Sequence, residues 1–168
     1  MRRALLVLTA SAALAALGAG SAASGAPAAC KPGITRINGL GARVFCGPAK
    51  AAVHYGSKVF TYTEGACEKT SQYVAVNVGT VILGETSKSK PDYFGLLIGK
   101  SPAGGTKPAS RDGTYTGGVL ALDYGGKGYL VRGDTLKVTL ADGRSRGTLT
   151  GASLFDNPPV KVTGSFSC

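Results

Sequence analysis

Apolar and polar residues alternate with a period of two through most of the chain beyond residue 33. Because successive side chains of a strand point to opposite faces of a sheet, this alternation predicts half-buried β-strands. The segments are rich in Val, Thr, Tyr and Phe, and Gly-rich punctuation separates them every eight to twelve residues or so. The predicted strands cover residues 34–37, 58–63, 73–78, 81–83, 93–98, 114–121, 128–131, 135–140, 148–154 and 160–166.

The turns between these segments predict hairpins. Gly125-Gly126 and Asp142-Gly143 each stand between two strand patterns, and both readily take the positive φ angles of a type I′ turn. Tyr55 to Lys58, with Gly56 inside, indicates another hairpin. No segment long enough for a helix shows the helical spacing of apolar residues. Residues 49–53 are expected to form at most one helical turn. Parallel pairing needs long crossovers, so the expected fold is all-β, a single antiparallel β-sandwich or small barrel.

The first 28 residues have the organisation of a secretory signal peptide. Arg2 and Arg3 precede an apolar run over residues 4–17, and Ala26 and Ala28 form a small-residue cleavage site. We therefore expect residues 1–28 to be removed and residues 29–168 to form one β domain that is secreted or extracytoplasmic, with possible association to the cell envelope. The alternative is a lipoprotein signal with Cys30 acylated. Pro27 stands where that signal wants a large aliphatic residue, which favours plain secretion and leaves lipidation open.

Four cysteines, Cys30, Cys46, Cys67 and Cys168, lie in the predicted mature domain. An even number in an exported chain predicts two disulfides, and the residues alone allow three pairings. Beyond the leader no segment approaches the roughly 20 apolar residues of a transmembrane span, so none is predicted.

The charge is strongly positive. The formal net charge of +10 falls to +8 when Arg2 and Arg3 are removed with the leader. Such an excess favours encounters with anionic surfaces, and an inert basic surface is an equally good explanation. Nucleic acid is not expected as a partner, because the basic stretches lack interleaved aromatic residues. The candidate contacts with an anionic surface lie in the two longest loops and are Lys88, Lys90, Lys100, Lys107 and Arg111.

Catalytic, cofactor and metal sites are not predicted. His54 is the single histidine, which leaves no pair of imidazoles for an ordinary zinc site and only a weak case for a Ser-His-Asp triad. Arg132-Gly133-Asp134 at a predicted turn is the one short motif that a host adhesion protein reads, although Gly-Asp is also ordinary turn chemistry.

The C-terminal third resembles the mycobacterial LpqH-type lipoprotein antigen family. The resemblance is carried by Asp142-Gly143, the segment 147–151, Asn157-Pro158 and a last strand that ends in Cys168, with Cys67 and the segment 76–79 upstream. It implies a compact β fold, a cell-envelope location and the pairing of Cys67 with Cys168, leaving Cys30 with Cys46.

Together these features predict a non-enzymatic secreted or envelope-associated β domain that acts through surface binding. Its partner is expected to be an anionic envelope polymer, a lipid surface or a host protein. The alternative is a small extracellular hydrolase or a protease inhibitor whose loop is braced by a disulfide, for which the segment Phe45-Cys46-Gly47-Pro48 is the candidate.

Overall fold

A computed structural model describes residues 30–83, 90–102 and 104–168 of the chain. These residues form twelve β-strands, and every pairing between two strands is antiparallel. The described ranges contain no α-helix. The strands are β1 Gly33–Ile37, β2 Leu40–Phe45, β3 Ala49–Tyr55, β4 Lys58–Lys69, β5 Tyr73–Ile82, β6 Tyr93–Gly99, β7 Gly113–Thr116, β8 Val119–Tyr124, β9 Lys127–Val131, β10 Lys137–Ala141, β11 Arg146–Ala152 and β12 Lys161–Ser167.

The strands form one sheet that curls into a half-barrel. Its order is β7-β10-β11-β12-β3-β4-β5-β6-β8-β9, and β2 joins it by pairing with the far end of β5. The two ends of this order approach each other where β9 meets the end of β11, since the Leu154 N–H donates to the Leu130 carbonyl at 2.8 Å and the Arg132 N–H to the Ala152 carbonyl at 2.9 Å. The all-β antiparallel prediction is therefore confirmed, in the form of a single curled sheet.

The inner face of the curled sheet carries the core. In β3, for example, Ala49, Ala51, Val53 and Tyr55 are buried while Lys50 and His54 are exposed, as a period of two requires. Aliphatic side chains from β5, β6, β8 and β10 meet an aromatic group from β3, β4, β8 and β9. The aromatic contacts include Phe60 with Tyr124, whose ring centroids lie 4.6 Å apart. The completely or almost completely buried large side chains are Phe94, Leu96, Ile98, Leu120, Leu122, Leu136 and Leu140.

Strand direction sorts the connections onto two rims of the half-barrel. One rim, which we call the disulfide rim, holds the β4–β5 turn, the loop after β6, the β10–β11 turn and the C-terminus. The opposite rim holds the β3–β4 turn, the β8–β9 turn and the β11–β12 loop. Because chain neighbours pair antiparallel, segments far apart in sequence become neighbours on a rim.

Two disulfides fasten this sheet. Cys67 pairs with Cys168 across a Cα–Cα distance of 5.6 Å, and Cys30 pairs with Cys46 across 5.8 Å. The prediction of two disulfides is confirmed, and their connectivity is the one that the family resemblance implied. The first ties the C-terminus to β4, and the second ties the start of the described chain to the end of β2.

Three local predictions were wrong. The single strand predicted over residues 114–121 is two strands, β7 and β8, because Gly117 and Gly118 between them have φ angles of 82° and 130°. Residues 49–53 lie in β3 rather than in a helical turn, because β3 is paired on both sides, with β12 and with β4. The Asp142-Gly143 hairpin exists, but its loop has four residues, Asp142 to Ser145, since Ala141 is paired with Arg146. By contrast, Gly125-Gly126 forms the predicted two-residue turn between Tyr124 and Lys127, with φ angles of 56° and 80°. The predicted leader, residues 1–28, lies outside the described residues.

The two disulfides are predicted to differ in their effect on stability. Their sequence separations are 101 and 16 residues, and a longer closed loop restricts the unfolded chain more. Replacing Cys67 and Cys168 by Ala should lower the free energy of unfolding by about 4–5 kcal/mol, and replacing Cys30 and Cys46 by about 3 kcal/mol. Urea unfolding of the two double variants without reductant measures both. A larger loss of unfolding free energy on removal of the Cys30–Cys46 disulfide would contradict the prediction that the Cys67–Cys168 disulfide stabilises the domain more.

Candidate anion-binding pocket

A pocket of about 440 Å³ opens at the disulfide rim, between the loop that follows β6 and strand β7. Two cations, Lys107 and Arg111, stand in its wall. Of the residues that the structure describes, no acidic one lines it. Its Ser and Thr hydroxyl groups come from Thr106, Ser110, Thr114 and Thr116, and the Tyr115 hydroxyl is a fifth.

The loop that carries the two cations is anchored at its centre by Ala109. This residue is fully buried, its N–H donates to the Gln72 carbonyl at 2.8 Å, and its carbonyl accepts from Arg144 Nη1 at 3.0 Å. The same Arg144 nitrogen also donates to the Thr70 carbonyl at 2.5 Å. The loop is thus bonded to the β4–β5 and β10–β11 turns on either side, and the positions of Lys107 and Arg111 are set by the sheet.

Gly99 allows this close approach. Its φ of +107° lies in a region that L side chains rarely adopt. A Cβ added at Gly99 would lie 2.5 Å from the Gln72 carbonyl oxygen and 2.8 Å from the Ala109 Cβ. Glycine is therefore needed where β6 ends and the loop turns back over the rim.

The Arg111 end of the loop is held by its neighbours. The Tyr115 hydroxyl donates to the Arg111 carbonyl at 2.8 Å. The Asp112 carboxylate accepts from the N–H groups of Gly143 and Arg144, at 3.0 and 2.6 Å. Asp112, the acidic residue next to Arg111, is therefore hydrogen-bonded to the β10–β11 turn.

The structure distributes the five predicted basic contacts unevenly. Lys107 and Arg111 share the pocket, and Lys100 begins the same loop without lining it. Lys90 lies at the opposite rim and forms an ion pair with Asp123, with 3.3 Å between Nζ and Oδ1. Lys88 is outside the described residues. Among those residues, neither Lys107 nor Arg111 takes part in an ion pair.

The chemistry of this pocket suits an anionic group. Arg111 offers the planar fork that matches phosphate, sulfate or carboxylate oxygens, and Lys107 offers a mobile point charge. The surrounding hydroxyls donate to anionic oxygens as well. These hydroxyls were not predicted as contacts, although the alternation Thr114-x-Thr116 was a usable signal, because it places both side chains on one face of β7.

The described residues do not form the other sites considered from the sequence, which are a triad at His54, a metal site and an exposed Arg-Gly-Asp motif. His54 is exposed on β3, opposite Thr163 of β12 and Val59 of β4. In the part of the chain that the structure describes, no group of three or more His, Cys, Asp or Glu side chains is placed to hold a metal ion. Arg132 and Asp134 of the Arg-Gly-Asp tripeptide pair with each other, with 2.9 Å between Nη2 and Oδ2.

A larger concavity, of about 610 Å³, lies on the outer face of β10, β11, β12, β3 and β4. It is lined mainly by Thr, Ser and Ala side chains. Its Arg146 is 3.5 Å from the Asp142 carboxylate, which leaves Lys50 as its one cation without an ion pair in the described chain. The pocket at the disulfide rim has the higher density of unpaired positive charge and is the better candidate.

Comparison with protein-family models, with curated proteins and with solved structures finds no match to this chain. The resemblance to the LpqH-type family therefore stays a prediction. The ranges that the structure describes include no helix long and apolar enough to cross a membrane.

Gly99 provides a test of how the pocket is built. Gly99→Ala should lower the free energy of unfolding by at least about 2 kcal/mol, because the new Cβ forces β6 away from Gln72 and Ala109. Gly41→Ala is the matched control, since its Cβ would meet only the Leu83 Cβ at 3.8 Å, and it should change stability by less than about 0.5 kcal/mol. Thermal and urea unfolding compare them, and equal effects would contradict the proposed anchoring.

Proposed function

We propose that this chain is a non-enzymatic extracytoplasmic β domain that binds an anionic group of a cell-envelope polymer in the pocket bearing Lys107 and Arg111. The observation that carries the proposal is the placing of two cations and four Ser or Thr hydroxyls in one anchored pocket that no acidic residue of the described chain lines. An anion entering there meets donors carried on a loop whose backbone is already anchored at Ala109, which lowers the cost of ordering that loop on binding.

An extracytoplasmic location is supported by two features. The leader pattern of residues 1–28 is typical of exported proteins, and disulfides persist mainly in oxidising compartments. A polymer rather than a single small anion is supported by the charge outside the pocket. Lys100 lies at the start of the same loop, and the predicted mature chain has a formal net charge of +8.

The alternatives find less support. A hydrolase would need a nucleophile and a base in contact, and His54 makes no hydrogen bond to a carboxylate within the described residues. An inhibitor would need a protruding loop at Cys46. Instead Phe45 ends β2 with its ring 6.0 Å from that of Tyr93, and Pro48 pairs with Gly65 of β4.

Removal of the two pocket cations tests the proposal. Lys107→Gln combined with Arg111→Gln should weaken binding of fluorescein-labelled polyphosphate and polygalacturonate by roughly tenfold or more, because each cation contributes a charge-assisted contact. Fluorescence anisotropy of the purified protein at fixed ionic strength measures the affinity, and the two polymers separate phosphate from carboxylate recognition.

The control is Lys31→Gln with Arg36→Gln, which removes the same charge from exposed positions at and before β1. This variant should lose no more than about twofold in affinity, as expected for long-range attraction alone. Equal losses in both variants, or no binding of either polymer by the unmodified protein, would overturn the proposal.

A further inference from the structure

The β11–β12 loop, on the rim opposite the pocket, exposes two large apolar side chains side by side. Leu154 is 47% exposed and Phe155 79% exposed. Leu130, 37% exposed on β9, adjoins them, because its carbonyl accepts from the Leu154 N–H. Scattered apolar residues are ordinary on a surface, whereas three exposed ones that are neighbours along the chain and across a backbone hydrogen bond are a local concentration of apolar surface.

The loop is braced, so its apolar tip is a built feature. Ser153 is fully buried, and its N–H donates to the Val160 carbonyl at 2.9 Å while its Oγ accepts from the Val160 N–H at 2.8 Å. The Tyr55 hydroxyl donates to the Asp156 carboxylate. That bond, followed by one from Ser153, lowers the pKa of Asp156 and keeps it ionised and attached to the rim. Phe155 is thereby left at the tip between two anchored residues.

Three lysines lie on the same rim as the apolar tip. Lys161 begins β12 directly after the loop, and its carbonyl accepts from the Gly56 N–H of the neighbouring β3–β4 turn at 3.0 Å. Lys58 follows that turn, with Nζ 6.0 Å from the centre of the Tyr129 ring. Lys127 begins β9 at the same rim. All three are exposed, and none forms an ion pair with another described residue.

Three aspartates of this rim, among the residues that the structure describes, have partners. Asp123 pairs with Lys90, and the Asp92 carboxylate accepts from the Gly125 N–H at 2.8 Å. Asp156 is bonded to Tyr55. Around Leu154 and Phe155 the described residues therefore place three lysines against the single negative charge of Asp156, which the charge of Lys58 offsets in part.

We propose that this rim docks on an anionic lipid surface, with Phe155 and Leu154 entering the headgroup region and Lys58, Lys127 and Lys161 contacting lipid phosphates. Such a surface has an apolar boundary, which suits Leu154 and Phe155, and negative headgroups, which suit the lysines on the same rim. The apolar binding pocket of a protein would match the tip but not these lysines. The inference is independent of the polymer pocket, which lies at the other rim.

The absence of tryptophan from the chain allows a sharp test. Phe155→Trp introduces a single tryptophan at the tip, and its emission should shift to shorter wavelength on addition of phosphatidylcholine vesicles containing phosphatidylglycerol. Pure phosphatidylcholine vesicles should give little or no shift. Ile34→Trp is the matched control, because Ile34 on β1 is also 79% exposed but lies outside the lysine group, and its emission should not change. Circular dichroism checks that both variants are folded.

A second set of variants tests the lysines. Replacing Lys58, Lys127 and Lys161 by Gln should reduce co-sedimentation with the phosphatidylglycerol vesicles by roughly tenfold or more, and replacing Lys31, Arg36 and Lys50 by Gln should change it by no more than about twofold. No blue shift at Phe155→Trp, an equal shift at Ile34→Trp, or equal losses in the two triple variants would overturn the inference. Polymer binding by the same variants is measured separately, so a failure here leaves the pocket proposal intact.

Discussion

The pairing of β12 with β3 is the constraint on which the rest of this structure depends. It sets Val162 opposite Tyr55, so strands more than 100 residues apart in sequence become neighbours. Contacts between residues so far apart in sequence have a high entropic cost, because the two ends of a long, flexible stretch of chain must be brought together. Once made, the pairing turns a series of hairpins into one curled sheet with a shared core, and the Cys67–Cys168 disulfide fixes it at one end.

The curl also decides where chemistry can be placed. The inner face is filled by side chains, and exposed features collect on the outer face and the two rims. The proposed polymer pocket lies at the disulfide rim and the proposed lipid-docking tip lies at the other. Together the two proposals describe a small domain that spans the gap between a membrane surface and an anionic polymer. Both rely on positions that backbone hydrogen bonds to the sheet hold, at Ala109 in one loop and at Ser153 and Leu154 in the other.

Much of the fold follows from local sequence, and the pocket does not. Alternation and Gly-rich turns predicted most strands and the Gly125-Gly126 hairpin, because both signals are local. Residues 49–53 were misassigned, since their strand conformation comes from partners on either side. The five basic residues looked like one group, and only non-local contacts separate them: Ala109 bonded to Gln72 brings Lys107 and Arg111 into one pocket, while Asp123 holds Lys90 at the other rim. Residue chemistry alone left the cysteine pairing open.

Backbone amide chemical shifts of the ¹⁵N-labelled protein, titrated with short polyphosphate, give the most direct test of the central claim. If the anchored loop forms a binding pocket, the shift changes should concentrate at Gly99, Lys107, Arg111 and residues 114–116, with the Ala109 amide still protected from exchange. Changes spread over all lysines of the surface, or confined to the rim of Phe155, would contradict the account.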